Sequence, residues 1–108
     1  MPSETVTVTP TSVPTGSMFN VSATGLHNTT GYMVFFLTAA EEFVAGVGLS
    51  TTNDGEFSYG FLAGRVDTDP VTGEQTTVPW NTGPMVAAIM GRRHGDLYEI
   101  VRTTFEVV

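Results

Sequence analysis

The chain has 108 residues with no cysteine and no lysine, and its four arginines face eleven acids for a formal charge of −7. That length fits a single domain, residues 1–108, whose core must hold without disulfides. An acidic surface repels phosphates, so nucleic acid is excluded as a partner, and the acids serve mainly to keep a small domain soluble.

The opening, MPSETVTV, shows neither a basic start nor an apolar run, so no signal peptide is expected in it. Alternation with a period of two predicts strands at Glu4–Thr9 and Ser17–Thr24, separated by Pro10, Pro14 and Gly16. Phe19, Val21 and Ala23 alternate with Asn20, Ser22 and Thr24, giving the second strand one wet face.

The stretch GYMVFFLTAAEEFVAGVGLS, Gly31–Ser50, is long enough to cross a bilayer. Glu41 and Glu42 stand at its middle, where each carboxylate costs about 2.5–3.5 kcal/mol on insertion scales, more than the apolar residues offset. It therefore reads as two strands, Tyr32–Thr38 and Phe43–Thr51, joined by a turn at TAAEE, and no membrane contact is expected. Tyr32–Thr38 is apolar on both faces, so it should be a central strand with its outer face covered by the segment Gly64–Pro84 folded back over it or by a neighbouring subunit.

A turn at Asn53–Gly55 precedes a strand at Glu56–Ala63, and the last two strands fall at Met85–Gly91 and Leu97–Val107. Between them, Gly64–Pro84 is either a long loop or an extra hairpin, RVDTDPVTGEQTTVP, turning at DPVTGE. Seven or more short strands with regular turn signals predict an all-β, immunoglobulin-like β-sandwich of two packed antiparallel sheets, with no helix beyond about two turns. Phe19, Val21, Phe35, Phe57, Val101 and Phe105 are the expected core residues.

Chemistry-bearing patterns are sparse. There is no nucleophile elbow, and His27 and His94 sit in polar turns with no ligand-spaced partner, so no catalytic site, cofactor or zinc site is expected. Asp67, Asp69 and Glu74 are weak candidates for calcium, because the spacing of a calcium-binding loop is absent and acids are common in turns. Asn20 and Asn28 match the N-glycosylation acceptor rule. Trp80, the only tryptophan, serves as a lid on the core or as an anchor for a partner. Arg92 and Arg93, in RRHGD, concentrate positive charge at one hairpin tip; with Trp80 and Tyr32 they are the candidate partner-binding residues.

VTVTPTSVPTGSMFNVSATGL, followed by Tyr32 and NDGEFSYGF at Asn53–Phe61, resembles bacterial and phage immunoglobulin-like domains. It also resembles, more weakly, the enediyne-binding apoproteins of the neocarzinostatin type, which share that fold. Those apoproteins carry disulfides and this chain has none, so the resemblance to a phage virion accessory protein, a capsid decoration or tail component, takes precedence. It implies a non-enzymatic protein that adheres to capsid or tail proteins and to copies of itself, located in the virion. The alternative is a secreted carrier that holds a small molecule in a cleft between a sheet and the segment Gly64–Pro84.

Overall fold

Alternation in β1 (Thr5–Thr9) and β3 (Met18–Thr24) puts valines and Phe19 on one side and Thr, Asn and Ser on the other, and this sets the layer order of the molecule. A computed structural model describes residues 4–26, 32–49, 55–93 and 95–108. The remaining strands are β2 (Ser12–Val13), β4 (Tyr32–Thr38), β5 (Phe43–Leu49), β6 (Phe57–Leu62), β7 (Gly64–Thr68), β8 (Gln75–Pro79), β9 (Gly83–Arg93) and β10 (Asp96–Val107). A three-stranded sheet, β1-β3-β6, packs on a five-stranded sheet, β2-β10-β9-β4-β5, and β7-β8 form a separate two-stranded ribbon. All pairings are antiparallel except β2 with β10. The described strands thus give the expected all-β sandwich, with the ribbon as an added part.

The core lies between the sheets. Val6 and Val8, Phe19 and Val21, and Phe57 of the small sheet meet Val34 and Phe36, Ala87 and Ile89, and Phe105 and Val107 of the large one. Phe19 is at its centre, edge-on to Phe36 and stacked on Phe105, both with ring centroids at 5.5 Å. Aromatic pairs in these geometries add to what their buried area supplies.

Of the six expected core residues, Phe35 lies on the opposite face and Val101 is only partly buried. Register with β9 turns Tyr32, Val34 and Phe36 inward and leaves Met33, Phe35 and Leu37 on the outer face, where Phe35 is half-buried. Because both faces of β4 are apolar, alternation alone could not choose between them. Val101 faces inward but is only partly covered, beside a bulge between Glu99 and Val101 where β10 bends. Two-residue β2 escaped detection because it is too short to alternate; its Val13 is fully buried, and the Val108 amide donates to the Val13 carbonyl at 2.9 Å.

Cover for the outer face of β4 comes from β5 and β10 and not from the segment Gly64–Pro84, whose strands β7 and β8 pair with each other as the separate ribbon. Phe43 of β5 meets the Phe35 ring edge-on at 5.3 Å, and Phe35 lies so close over Gly46 that an added Cβ would sit 3.0 Å from the ring. On the same face Arg102 of β10, aligned with Ala88 of β9, reaches Glu41 in the β4–β5 turn, so its side chain spans β9. Beneath it Ala88 is fully buried although it points away from the core. Phe43 itself stays 61% exposed.

Because Phe36 bridges the sheets and Phe35 does not, Phe36→Ala should cost about 3–5 kcal/mol and Phe35→Ala clearly less. Urea denaturation midpoints of the two variants check the order. Equal losses would mean that the β4 register is reversed.

Candidate functional site

The ribbon is hung from the sandwich by one carbonyl. Ala63 follows β6 and is fully buried; its oxygen accepts the amides of Gly16 and Trp80, both at 3.0 Å, and its own amide donates to Ser17 at 2.9 Å. Gly64 then lets β7 close on β8, since a Cβ there would lie 2.7 Å from the Val78 carbonyl oxygen and 3.1 Å from the Pro79 Cα. At the far end the Asp69 amide donates to the Glu74 carbonyl at 2.8 Å, closing the turn that the sequence placed at DPVTGE.

Trp80 leaves the ribbon toward the core. Its carbonyl accepts the Thr15 hydroxyl as its amide donates to Ala63, so the backbone is held on both sides. Its half-buried ring lies 5.3 Å from Phe36 and 5.9 Å from Phe19, centroid to centroid. One side of the indole therefore rests on the core, as a lid does. Its other surroundings form a cleft.

That cleft, of about 570 Å³, separates the ribbon from the large sheet. Arg65, Val78, Pro79 and Trp80 form one wall, and the turn Thr38–Ala40, Val44 and Ala45 of β5, and Met85 of β9 form the other. The volume is within the usual range of small-molecule sites, and the mix of aliphatic and aromatic walls with a few polar groups is typical of them. The lining residues include no His, Asp or Glu, and Arg65 carries their one formal charge.

The β4–β5 turn on the sheet side is fixed from the outer face. Glu41 has a φ of 67°, uncommon outside glycine, and its carboxylate takes the Arg102 guanidinium at 2.6 Å, while Glu99 takes the same group at 2.6 Å. The hydrogen bond from Arg102 holds the Glu41 carboxyl below the ordinary carboxylate range, and the two carboxylates keep Arg102 charged at any working pH. Within the same turn the Glu41 amide donates to the Thr38 carbonyl and the Thr38 amide to the Glu42 carbonyl, both at 2.9 Å.

Of the described side chains singled out as partner-binding or metal candidates by sequence, Trp80 alone lines this cleft. Tyr32 is a correction: only 5% exposed, it belongs to the core and offers no docking surface. Arg92 is exposed near the opposite end of β9, its Nη1 3.5 Å from the Gly95 carbonyl; nine strand residues put it roughly 30 Å from Gly83, so Trp80 and Arg92 share no surface. Arg93 is described only through its backbone in β9, while His27, Asn28 and His94 lie outside the described residues. Asn20, on β3, donates its side-chain amide to Ser22 and Ser58.

Two of the three acids proposed for calcium, Asp67 and Asp69, have other duties, and Glu74 enters the ribbon turn through its backbone. Asp67 pairs with Arg65 at 3.1 Å, and Asp69 accepts the amides of Val71 and Thr72 across the ribbon turn, which lowers its pKa. Among the described residues no three His, Asp or Glu side chains are grouped as a metal site would need. Sequence reasoning missed Arg65, Val44 and Val78 as one site, because the cleft joins segments far apart in the chain. Its two visible signals were the lone Trp and the hairpin pattern of Gly64–Pro84.

No family model and no curated protein matches the chain. Among solved structures, macromomycin matches with a TM-score of 0.62 at 21% identity, covering 98% of this chain and 100% of that one. The two share a fold. The likeness spans the ribbon as well as the sandwich, well beyond the Thr5–Phe61 stretch in which sequence alone suggested a resemblance.

The sign of the Glu41 shift makes acid sensitivity testable. A carboxylate with a lowered folded pKa stabilises the fold above its unfolded value of about 4.5, and that contribution is lost as pH falls through the folded value. Glu41→Gln should therefore lose less stability than the parent chain on acidification below that point. Denaturation midpoints measured across the acid range check this, and parallel curves would remove Glu41 from the account.

Proposed function

We propose that this chain is a secreted, non-enzymatic carrier domain that holds a small molecule with an apolar body in the cleft beside the ribbon. The observation that carries the reading is the cleft itself, about 570 Å³ in volume, with Trp80 in one wall and Val44, Ala45 and Met85 in the other. Its position between the large sheet and the segment Gly64–Pro84 is the one a carrier of this kind calls for. The likeness to macromomycin, of the neocarzinostatin-type apoproteins, lends further support. The lining offers no nucleophile with an adjacent base, in keeping with binding rather than turnover.

Adhesion to a virion would use a different surface. That reading placed Tyr32, Trp80, Arg92 and Arg93 at the contact, yet Tyr32 is buried, and Trp80 precedes β9 while Arg92 lies near that strand's far end. The comparisons favour the carrier.

Trp80 is the only tryptophan, so its fluorescence reports on the cleft without added labels. Titration with a neutral tricyclic aromatic such as 9-anthracenemethanol should quench it saturably, with one equivalent bound. Ala40→Phe, which fills the mouth from the exposed turn and retains Trp80 as reporter, should weaken binding at least tenfold, a loss of about 1.4 kcal/mol. Absence of any saturable change in the parent chain would sink the carrier reading.

A further inference from the structure

We infer that the ligand of this cleft carries an anionic group, received by Arg65, beside the apolar body that rests on Trp80. The inference depends on the carrier reading and adds the chemical class of what is carried. Eleven acids give the chain its charge of −7, yet the lining contains none of them and does contain one of the four arginines. Walls otherwise built from Val44, Ala45, Val78, Pro79 and Met85 present an apolar surface, and a single cation at its margin then selects for a complementary charge.

The ribbon register supplies the geometry. Arg65 is paired with Val78, which lines the cleft with it, and Trp80 follows Val78 by two residues. Arg65 and Trp80 therefore stand in the same wall of the cleft, the arrangement that a ring system bearing one charged substituent requires. Arg65 and Asp67 alternate onto the same face of β7, but Asp67 lies nearer the ribbon tip and outside the lining.

The existing ion pair leaves Arg65 available. Its Nε and Nη2 contact Asp67 at 3.1 and 3.4 Å, the second a long bond, while among the described residues no hydrogen bond engages Nη1. Both side chains are more than half exposed, and ion pairs of that kind contribute little in water. A carboxylate or sulfonate delivered by a bound ring offers the same fork of acceptors with the ring's apolar contacts added, so it competes with Asp67 for the guanidinium. Asp67 thereby sets a threshold: only an anion anchored by its apolar part displaces it.

The probes are 8-anilino-1-naphthalenesulfonate and N-phenyl-1-naphthylamine, which share a ring system and differ by the sulfonate. Titrated by their own fluorescence against the full chain, the sulfonate should bind roughly threefold to fivefold more tightly than its neutral twin, despite the protein's negative charge. Raising the salt should erode that preference. Arg65→Met should abolish or reverse the ratio, and Asp67→Asn should increase it. Circular dichroism of each variant establishes that the sandwich is intact, and the opposite signs expected at Arg65 and Asp67 separate anion recognition from general damage to the ribbon. If the neutral probe binds as well as the sulfonate, or if the ratio survives Arg65→Met, the inference is overturned while the carrier reading stands. If neither probe binds, both fall.

Discussion

The aromatic cluster formed by Phe19, Phe36, Phe105 and Trp80 is the contact on which the rest of the molecule depends. Phe19 comes from the small sheet, Phe36 and Phe105 from the large one, and Trp80 from the segment that leaves the ribbon. One group of rings thus joins both layers of the sandwich and seats the cleft against them. Core packing is dense and transmits displacement poorly absorbed elsewhere, so the site inherits its rigidity from the same rings that stabilise the fold. In a chain without disulfides no covalent constraint shares that task.

A second constraint acts from the outer face. Arg102 lies across β9 and gathers Glu41 and Glu99, so that one guanidinium offsets part of the charge of two acids in a strongly negative chain. Sequence separation between Arg102 and Glu41 is 61 residues, and the pair fixes a turn whose opposite side borders the cleft. The two faces of the large sheet are therefore coupled through a single turn, with aromatic packing on one side and charge on the other.

Much of this architecture was legible in the chain, and the exceptions have physical causes. Period two located β1, β3 and β4 within a residue, and acids inside an apolar run separated β4 from β5. The pattern failed on β4's orientation because Phe35 and Phe36 are equally apolar, and only the register with β9 decides which one enters the core. It failed on Tyr32 for the same reason: an aromatic at the start of a strand looks the same whether it faces solvent or the opposing sheet. The cleft was visible only in outline, as a tryptophan within a long hairpin-like segment. Its sheet-side wall, Val44 and Ala45 with Met85, is brought near the ribbon by tertiary packing that no local pattern encodes.

The ribbon stands apart energetically as well as spatially. Most of β7 and β8 is exposed, and the ribbon is tied to the sandwich chiefly through the Ala63 carbonyl and the Trp80 ring. Residues that face the cleft from this side therefore bear little of the burden of folding, much as binding loops do on a rigid scaffold. Substitutions there alter what the cleft accepts while the sheets stay as they are. On the carrier reading proposed above, a lineage could acquire a new cargo by rewriting one hairpin, without first solving the folding problem again.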